Sequence, residues 1–411
     1  MSRIPGRAVA GLLALALAGC SSGSAAASNL AKAVFDTLPG GIVRVTSSGP
    51  TAWPDSAGAM LVEESRFSGE EGTPSELGNP QSIAVDEAGR VYVSDRKPSV
   101  IKVYGPDGTF IRTIGREGEG PGEFRIGFIA VRDSFLVLHD PQLSRTSVWD
   151  SAGTFLRSWH STCCYWNYIQ IDRQNRIYVP SMSPTKSGEK SRGTAYVRWS
   201  MEGVALDTVW IPNRDEGKSW TISAKSKDGK GNMMMSTSVP FLPGQTSALR
   251  PDGGVVYGWT GNYSIVQSAL GTDTVRVFGR AWTPDPASDQ RKRDELEGQV
   301  KWAKEDYGEA AVRAAFKLSD IPSTLPAFES LRVDRTGRVW ARRYAVSDTT
   351  KTTFDAFDST GAYLGPVGTA LNLKAWQPQI WTRDGVVTIT EDPDGRPTVV
   401  RLRLTIPGTP K

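Results

Sequence analysis

The chain has 411 residues, 39% hydrophobic and 22% charged, with 42 glycines and 26 prolines; this globular composition excludes disorder, collagen and a multi-span membrane protein. Its 48 basic and 44 acidic side chains leave a net charge of +4, too weak a bias for a nucleic-acid partner. With only 2 histidines, no zinc site of three imidazoles can be built.

Residues 1–19 read as a signal peptide. Arg3 and Arg7 precede an apolar run, Ala8 to Ala18, too short to span a bilayer but suited to the core of a secretion signal. The run ends in Leu17-Ala18-Gly19-Cys20, which resembles the lipobox of bacterial lipoproteins. That resemblance implies cleavage before Cys20 and acylation there, with each buried methylene holding the membrane by about 0.8 kcal/mol. Ser21 at the next position resembles outer-membrane sorting. The chain is therefore expected in the cell envelope, with the membrane as a partner through its N-terminal lipid. Residues 20–58 are expected to be a flexible tether, opening with the small residues Ser21 to Ser28.

A repeat follows. Ile83 to Val85, Val91 to Asp95, Val100 to Tyr104 and Thr109 to Ile114 are short β-branched or aromatic runs divided by turn residues. In Asp86-Glu87-Ala88-Gly89 the aspartate can accept from the following amides, and the glycine supplies positive φ. The pattern restarts at Ile129, Ile169, Ala248, Leu331 and Gln379. The last unit lacks a strand, which Met60 to Glu64 can supply by pairing across the chain ends. Four strands in roughly 40–50 residues is the period of a propeller. The expected fold is all-β, a six-bladed β-propeller over 59–408 with a small helical insertion at 284–320. Asn79-Pro80, Ile83-Ala84-Val85-Asp86 and the run Gly118-Glu119-Gly120-Pro121-Gly122-Glu123-Phe124 resemble the NHL-type repeat, and the whole span resembles bacterial six-bladed propeller lipoproteins.

Two insertions break the period. Residues 212–246 suggest an extra hairpin; its run Met233-Met234-Met235 reads as packing, since no histidine or cysteine accompanies it. In 284–320, Leu296, Val300, Ala303 and Tyr307 recur at helical spacing, Gly308 interrupts, and Pro322 and Pro326 end the segment. Such a helical pair sits on a blade-to-blade crossing and is expected to cap the channel.

Loops from second to third strand share one face of a propeller with the crossings. Arg96, Arg116, His139, Asp140, Arg145, Tyr165, Trp166, Trp259, Arg342 and Tyr344 are thus expected around one mouth as candidate binding residues, mixing aromatics with charges. His139 beside Asp140 is the one pair with the make-up of a base and its orienter. Cys163 and Cys164 can form a strained vicinal disulfide, stay reduced, or bond another chain, and these alternatives stay open. No catalytic residue, metal site or cofactor is assigned. The function expected is a membrane-anchored scaffold binding a small ligand or protein at the loop-rich channel face. The alternative is a propeller hydrolase or lyase of the lactonase or streptogramin-lyase type. Under that alternative calcium is a possible cofactor, since lactonases of related propeller shape hold it in the channel with acidic and amide side chains. Ala84, Ala130, Gln170 and Arg332 on the inner strands show no such ring, which weakens the enzyme reading.

Overall fold

In Val91–Arg96 five consecutive residues are buried, whereas Phe155–His160 exposes most of its side chains. That contrast is the signature of sheets stacked face to face around an axis: strands near the axis are covered on both faces, and outer strands meet water. The computed structural model describes residues 32–48, 51–53, 58–161, 168–181, 193–212, 218–225, 231–344 and 352–407. Six antiparallel blades of four strands ring a central channel.

Blade 1 comprises Pro80–Val85, Val91–Arg96, Ser99–Tyr104 and Phe110–Ile114; blade 2 comprises Phe128–Arg132, Phe135–Asp140, Arg145–Asp150 and Phe155–His160. Blade 3 is Gln170–Ile171, Ile177–Ser181, Gly193–Trp199 and Ala205–Pro212; blade 4 is Gln245–Leu249, Val255–Trp259, Ser264–Ser268 and Arg276–Gly279. Blade 5 is Ser330–Val333, Val339–Arg342, Thr352–Phe357 and Tyr363–Thr369. Blade 6 takes Gln379–Trp381, Gly385–Glu391 and Pro397–Thr405 from the end of the chain and Ala59–Phe67 from its beginning. That early strand runs antiparallel to Pro397–Thr405, with Met60 opposite Thr405 and Phe67 opposite Val399. Its first residues also pair in parallel with Val367 and Gly368, tying blade 6 to blade 5.

The turn chemistry repeats from blade to blade. The Asp86 carboxylate accepts from the Arg90 amide at 2.8 Å and the Arg90 Nε at 2.5 Å, and from the Tyr92 hydroxyl at 3.3 Å. Asp172 does the same with Arg176 and Tyr178, and Asp334 with Arg338 and Trp340. Blade 4 inverts the pair: Arg250 stands where the aspartate should be and reaches Asp252.

Two expectations need correction. Within the span read as tether, Lys32–Leu38 and Ile42–Ser48 form a hairpin that extends blade 4, Ile42–Ser48 running parallel to Arg276–Gly279. Gly40 and Gly41, at φ 83° and 77°, make the turn, and Val45 is buried against Phe278 and Phe357. Small residues near Cys20 masked an alternating strand pattern further along. The second correction concerns the insertions. Helix α1 (Asp289–Tyr307, capped by the Ser288 hydroxyl) and helix α2 (Glu309–Ala315) do not pack on the channel. They pack on the hairpin Ser219–Lys225 and Asn232–Ser238 from the preceding crossing. Trp220 stacks on Phe316 at 4.5 Å, with Ile222, Val300, Ala303 and Val312 buried alongside. The two insertions thus form one lobe, because each brings half of a core that the other completes.

Candidate functional site

The loops from second to third strand and the blade crossings define an upper face; the first-to-second-strand turns define a lower one. Between them runs a channel cavity of about 390 Å³ lined by all six inner strands. Its room has a sequence origin. At one register position the inner strands carry Ala84, Ala130, Gln170, Ala248, Arg332 and Ile380, so three of six blades place a methyl group where a larger side chain would fill the axis.

The upper end is crossed. Tyr168, entering blade 3, donates its hydroxyl to the Trp376 carbonyl of the crossing between blades 5 and 6, at 3.3 Å. Arg332 donates to the Leu331 carbonyl at 2.8 Å and to the Ala375 carbonyl of the same crossing at 2.7 Å. Burial holds the Arg332 guanidinium below its ordinary pKa, since carbonyl dipoles only partly replace the water it gives up. Nearby, Arg342 Nε lies 2.9 Å from Glu329 Oε2. Burial outweighs this pairing on both sides, pushing the Glu329 carboxyl up and the Arg342 guanidinium down, and Arg342 Nη1 is buried without a hydrogen-bond partner among the described residues. The lower end stays open and widens into a polar vestibule of about 710 Å³.

The candidate residues separate into groups. Arg342 and Tyr344 come together over blade 5, where Tyr344 packs edge-on against Phe241 of the lobe with centroids 6.0 Å apart. Arg96, Arg116 and Arg145 lie on the rim of blades 1 and 2. There Arg116 pairs with Glu123 at 2.7 Å, and Arg145 donates to the Glu119 and Glu123 carbonyls at 2.6 and 2.7 Å, holding the glycine-rich crossing. Trp259 is half-buried at the edge of blade 4. Tyr165, Trp166, Cys163 and Cys164, like Cys20, lie outside the described residues.

His139 and Asp140 do not meet a mouth. Both are 0% exposed. Asp140 accepts from four backbone amides, Arg125, Ile126, Gln142 and Leu143, and so clamps the incoming crossing to its own loop. Asp95 does this in blade 1, accepting from Gly78 and Asn79 and pairing with buried Lys102 at 3.0 Å. The His139 ring turns away to Thr146 and Ser161, and burial pulls its pKa down to about 4. The pair is a repeat position, not a base and its orienter. Tyr168 and Glu329 were missed from sequence because each precedes an inner strand and carries no motif.

No curated protein matches the chain. Among solved structures, a Bacteroides fragilis protein described as exported is 12% identical with a TM-score of 0.45, over 84% of this chain and 95% of its own. A duf4221 family member from Bacteroides vulgatus is 10% identical with a TM-score of 0.41, over 85% and 99%. Virginiamycin B lyase from Staphylococcus aureus is 10% identical with a TM-score of 0.39, over 80% and 95%. Residues 74–236, which hold blades 1 to 3 and most of the hairpin after them, match the family model DUF5128, described as 6-bladed beta-propeller, and the chain as a whole is a six-bladed β-propeller with a helical lobe.

Proposed function

We propose that this chain is an exported propeller, held on a membrane by lipid at Cys20, that binds a small molecule in its central channel. The observation that carries this reading is the channel itself: about 390 Å³, crossed at the top and open below, and kept clear by Ala84, Ala130 and Ala248. That volume falls in the range of small-molecule sites, roughly 300–1,000 Å³. An apolar body fits the aliphatic wall, and an acceptor at its leading end meets the desolvated Arg332 guanidinium. The ligand class is therefore a compact organic molecule with a polar or acidic terminus.

Native mass spectrometry of the detergent-solubilised protein, after incubation with a small-molecule extract of its own cell envelope, tests the channel. A bound mass is expected in the wild type and not in Ala84→Phe or Ala130→Phe, which fill the axis. An adduct that persists in both filled variants, or none in the wild type, would remove the reading. The anchor is tested separately: intact mass should show loss of residues 1–19 plus acyl chains, and Cys20→Ala should release the protein from membranes.

A further inference from the structure

Cations gather at the lower mouth. Arg173, Arg335 and Arg383 each stand two residues beyond the inner strand, in blades 3, 5 and 6, and all three line the vestibule of about 710 Å³. Arg132 joins them from the end of the blade 2 inner strand, and Arg401 from the third strand of blade 6.

The acids that share the vestibule are mostly committed. Glu64 pairs with Arg403, Asp86 with Arg90 at 2.5 Å, and Glu87 with Arg335 at 3.1 Å. Among the described residues, Arg173, Arg383 and Arg401 then make no ion pair, and Arg132 comes no nearer to an acid than 3.9 Å, at Asp133. Only Asp384 is left to oppose them. Arg173 donates to the Arg335 carbonyl at 2.6 Å and Arg401 to the Gly89 carbonyl at 2.7 Å, which fixes their positions without neutralising them. The Nε groups of Arg132 and Arg401 are buried with no acceptor among the described residues. A buried charged donor left unmet is costly, and several guanidiniums lining one cavity repel one another. An anion of suitable shape relieves both.

We propose that the vestibule is an oxyanion site, in which Arg132, Arg173, Arg383 and Arg401 hold a phosphate or diphosphate group. Planar guanidiniums suit this chemistry, since each presents paired N–H donors to two oxygens at once. The site adjoins the lower end of the channel, sharing Arg132 with its wall, while Arg173, Arg383 and Arg401 line the vestibule alone. Its group is carried by a free phosphate ester or by a phospholipid head.

Calorimetric titration of the detergent-solubilised protein with inorganic pyrophosphate, at constant ionic strength, tests it. Saturable binding is expected, roughly tenfold weaker after Arg132→Gln with Arg173→Gln. Arg383→Gln removes an exposed turn side chain with no protein partner among the described residues, so its loss of binding is read without risk to folding. Arg293→Gln, on the exposed face of α1, should bind like wild type. A parallel arm compares phosphatidylglycerol with phosphatidylcholine in mixed micelles. Binding confined to phosphatidylglycerol, and lost in the same variants, assigns the group to a lipid head; pyrophosphate binding assigns it to a soluble ester. Heat that chloride reproduces, binding that Arg383→Gln and the double variant leave intact, or no binding in either arm overturns the proposal.

Discussion

Asp355→Ala should cost about 3–5 kcal/mol, because it strands two half-buried guanidiniums rather than removing one contact. The carboxylate is 0% exposed and sits where blades 4 and 5 meet. It accepts from Arg280 Nε and Arg343 Nε, both at 2.9 Å, and from the Tyr263 and Tyr363 hydroxyls, both at 2.6 Å. Arg280 also lies over the Tyr263 ring, 4.7 Å from its centroid. With an unfolding entropy of about 2.1 cal/mol/K per residue, that loss lowers Tm by about 4–6 °C in a chain of this length. The pH dependence gives a second handle. Burial alone pushes the Asp355 carboxyl up, but the Arg343 and Arg280 guanidiniums and the Tyr263 hydroxyl outweigh it and hold the carboxyl below its ordinary value. A depressed carboxyl stabilises the fold above its unfolded pKa, about 3.9, and that benefit fades as pH falls through the folded value. Differential scanning calorimetry of wild type and Asp355→Asn should therefore show a gap that is full at pH 7 and shrinks below about pH 4. A loss under 1 kcal/mol for the alanine variant, or a gap indifferent to acid, would refute this account of the junction.

His139 acts with the same sign in a higher window. Its pKa falls from 6.5 to about 4 by burial, so the unfolded chain binds the extra proton first and acid favours unfolding. That shift is worth about 3 kcal/mol, lost between roughly pH 6.5 and 4, and His139→Gln should flatten this limb of the Tm–pH curve. Truncation to residue 50 should lower Tm modestly, since it uncovers the Val45 contact and removes the Ser47 hydroxyl from the Tyr363 amide at 2.8 Å; truncation to residue 70 should yield aggregated protein. Replacing 286–320 with a Gly/Ser linker should raise binding of an apolar dye and lower solubility, because it exposes Trp220 and Ile222. Replacing 218–240 as well should restore solubility.

What the sequence disclosed was whatever its residues settle locally. Asp86, Asp172 and Asp334 each announce a turn because the carboxylate, the amide that it caps and the arginine four residues on are neighbours in the chain. The ring closure was legible for a different reason: a unit short of one strand and a spare strand at the other end can satisfy each other. Spatial partners without a repeat were not legible. Nothing in 212–246 names 284–320 as its partner, so a shared core read as two separate features. Asp140 carried a misleading signal, since histidine next to aspartate suggests chemistry, whereas its burial and four amide partners show a clamp also found at Asp95. Arg173, Arg335 and Arg383 escaped because they stand in the turns that follow the inner strands, outside the alternating pattern that marks the blades.

Closure of the ring by the chain's own beginning has a consequence for how the molecule is made. Met60 and Thr405 face each other across 345 residues of sequence, and no blade between them can complete that pairing on their behalf. The strand that completes the ring is synthesised ahead of blades 1 to 5 and must wait, its antiparallel edge unsatisfied, until the final turn of chain arrives. Long-range pairing of this kind makes folding slow and leaves an open edge in the interval. A chain cut short near residue 395 would thus lose more than its last strand: Ala59–Phe67 would have no antiparallel partner, and the defect would surface at both ends of the sequence at once.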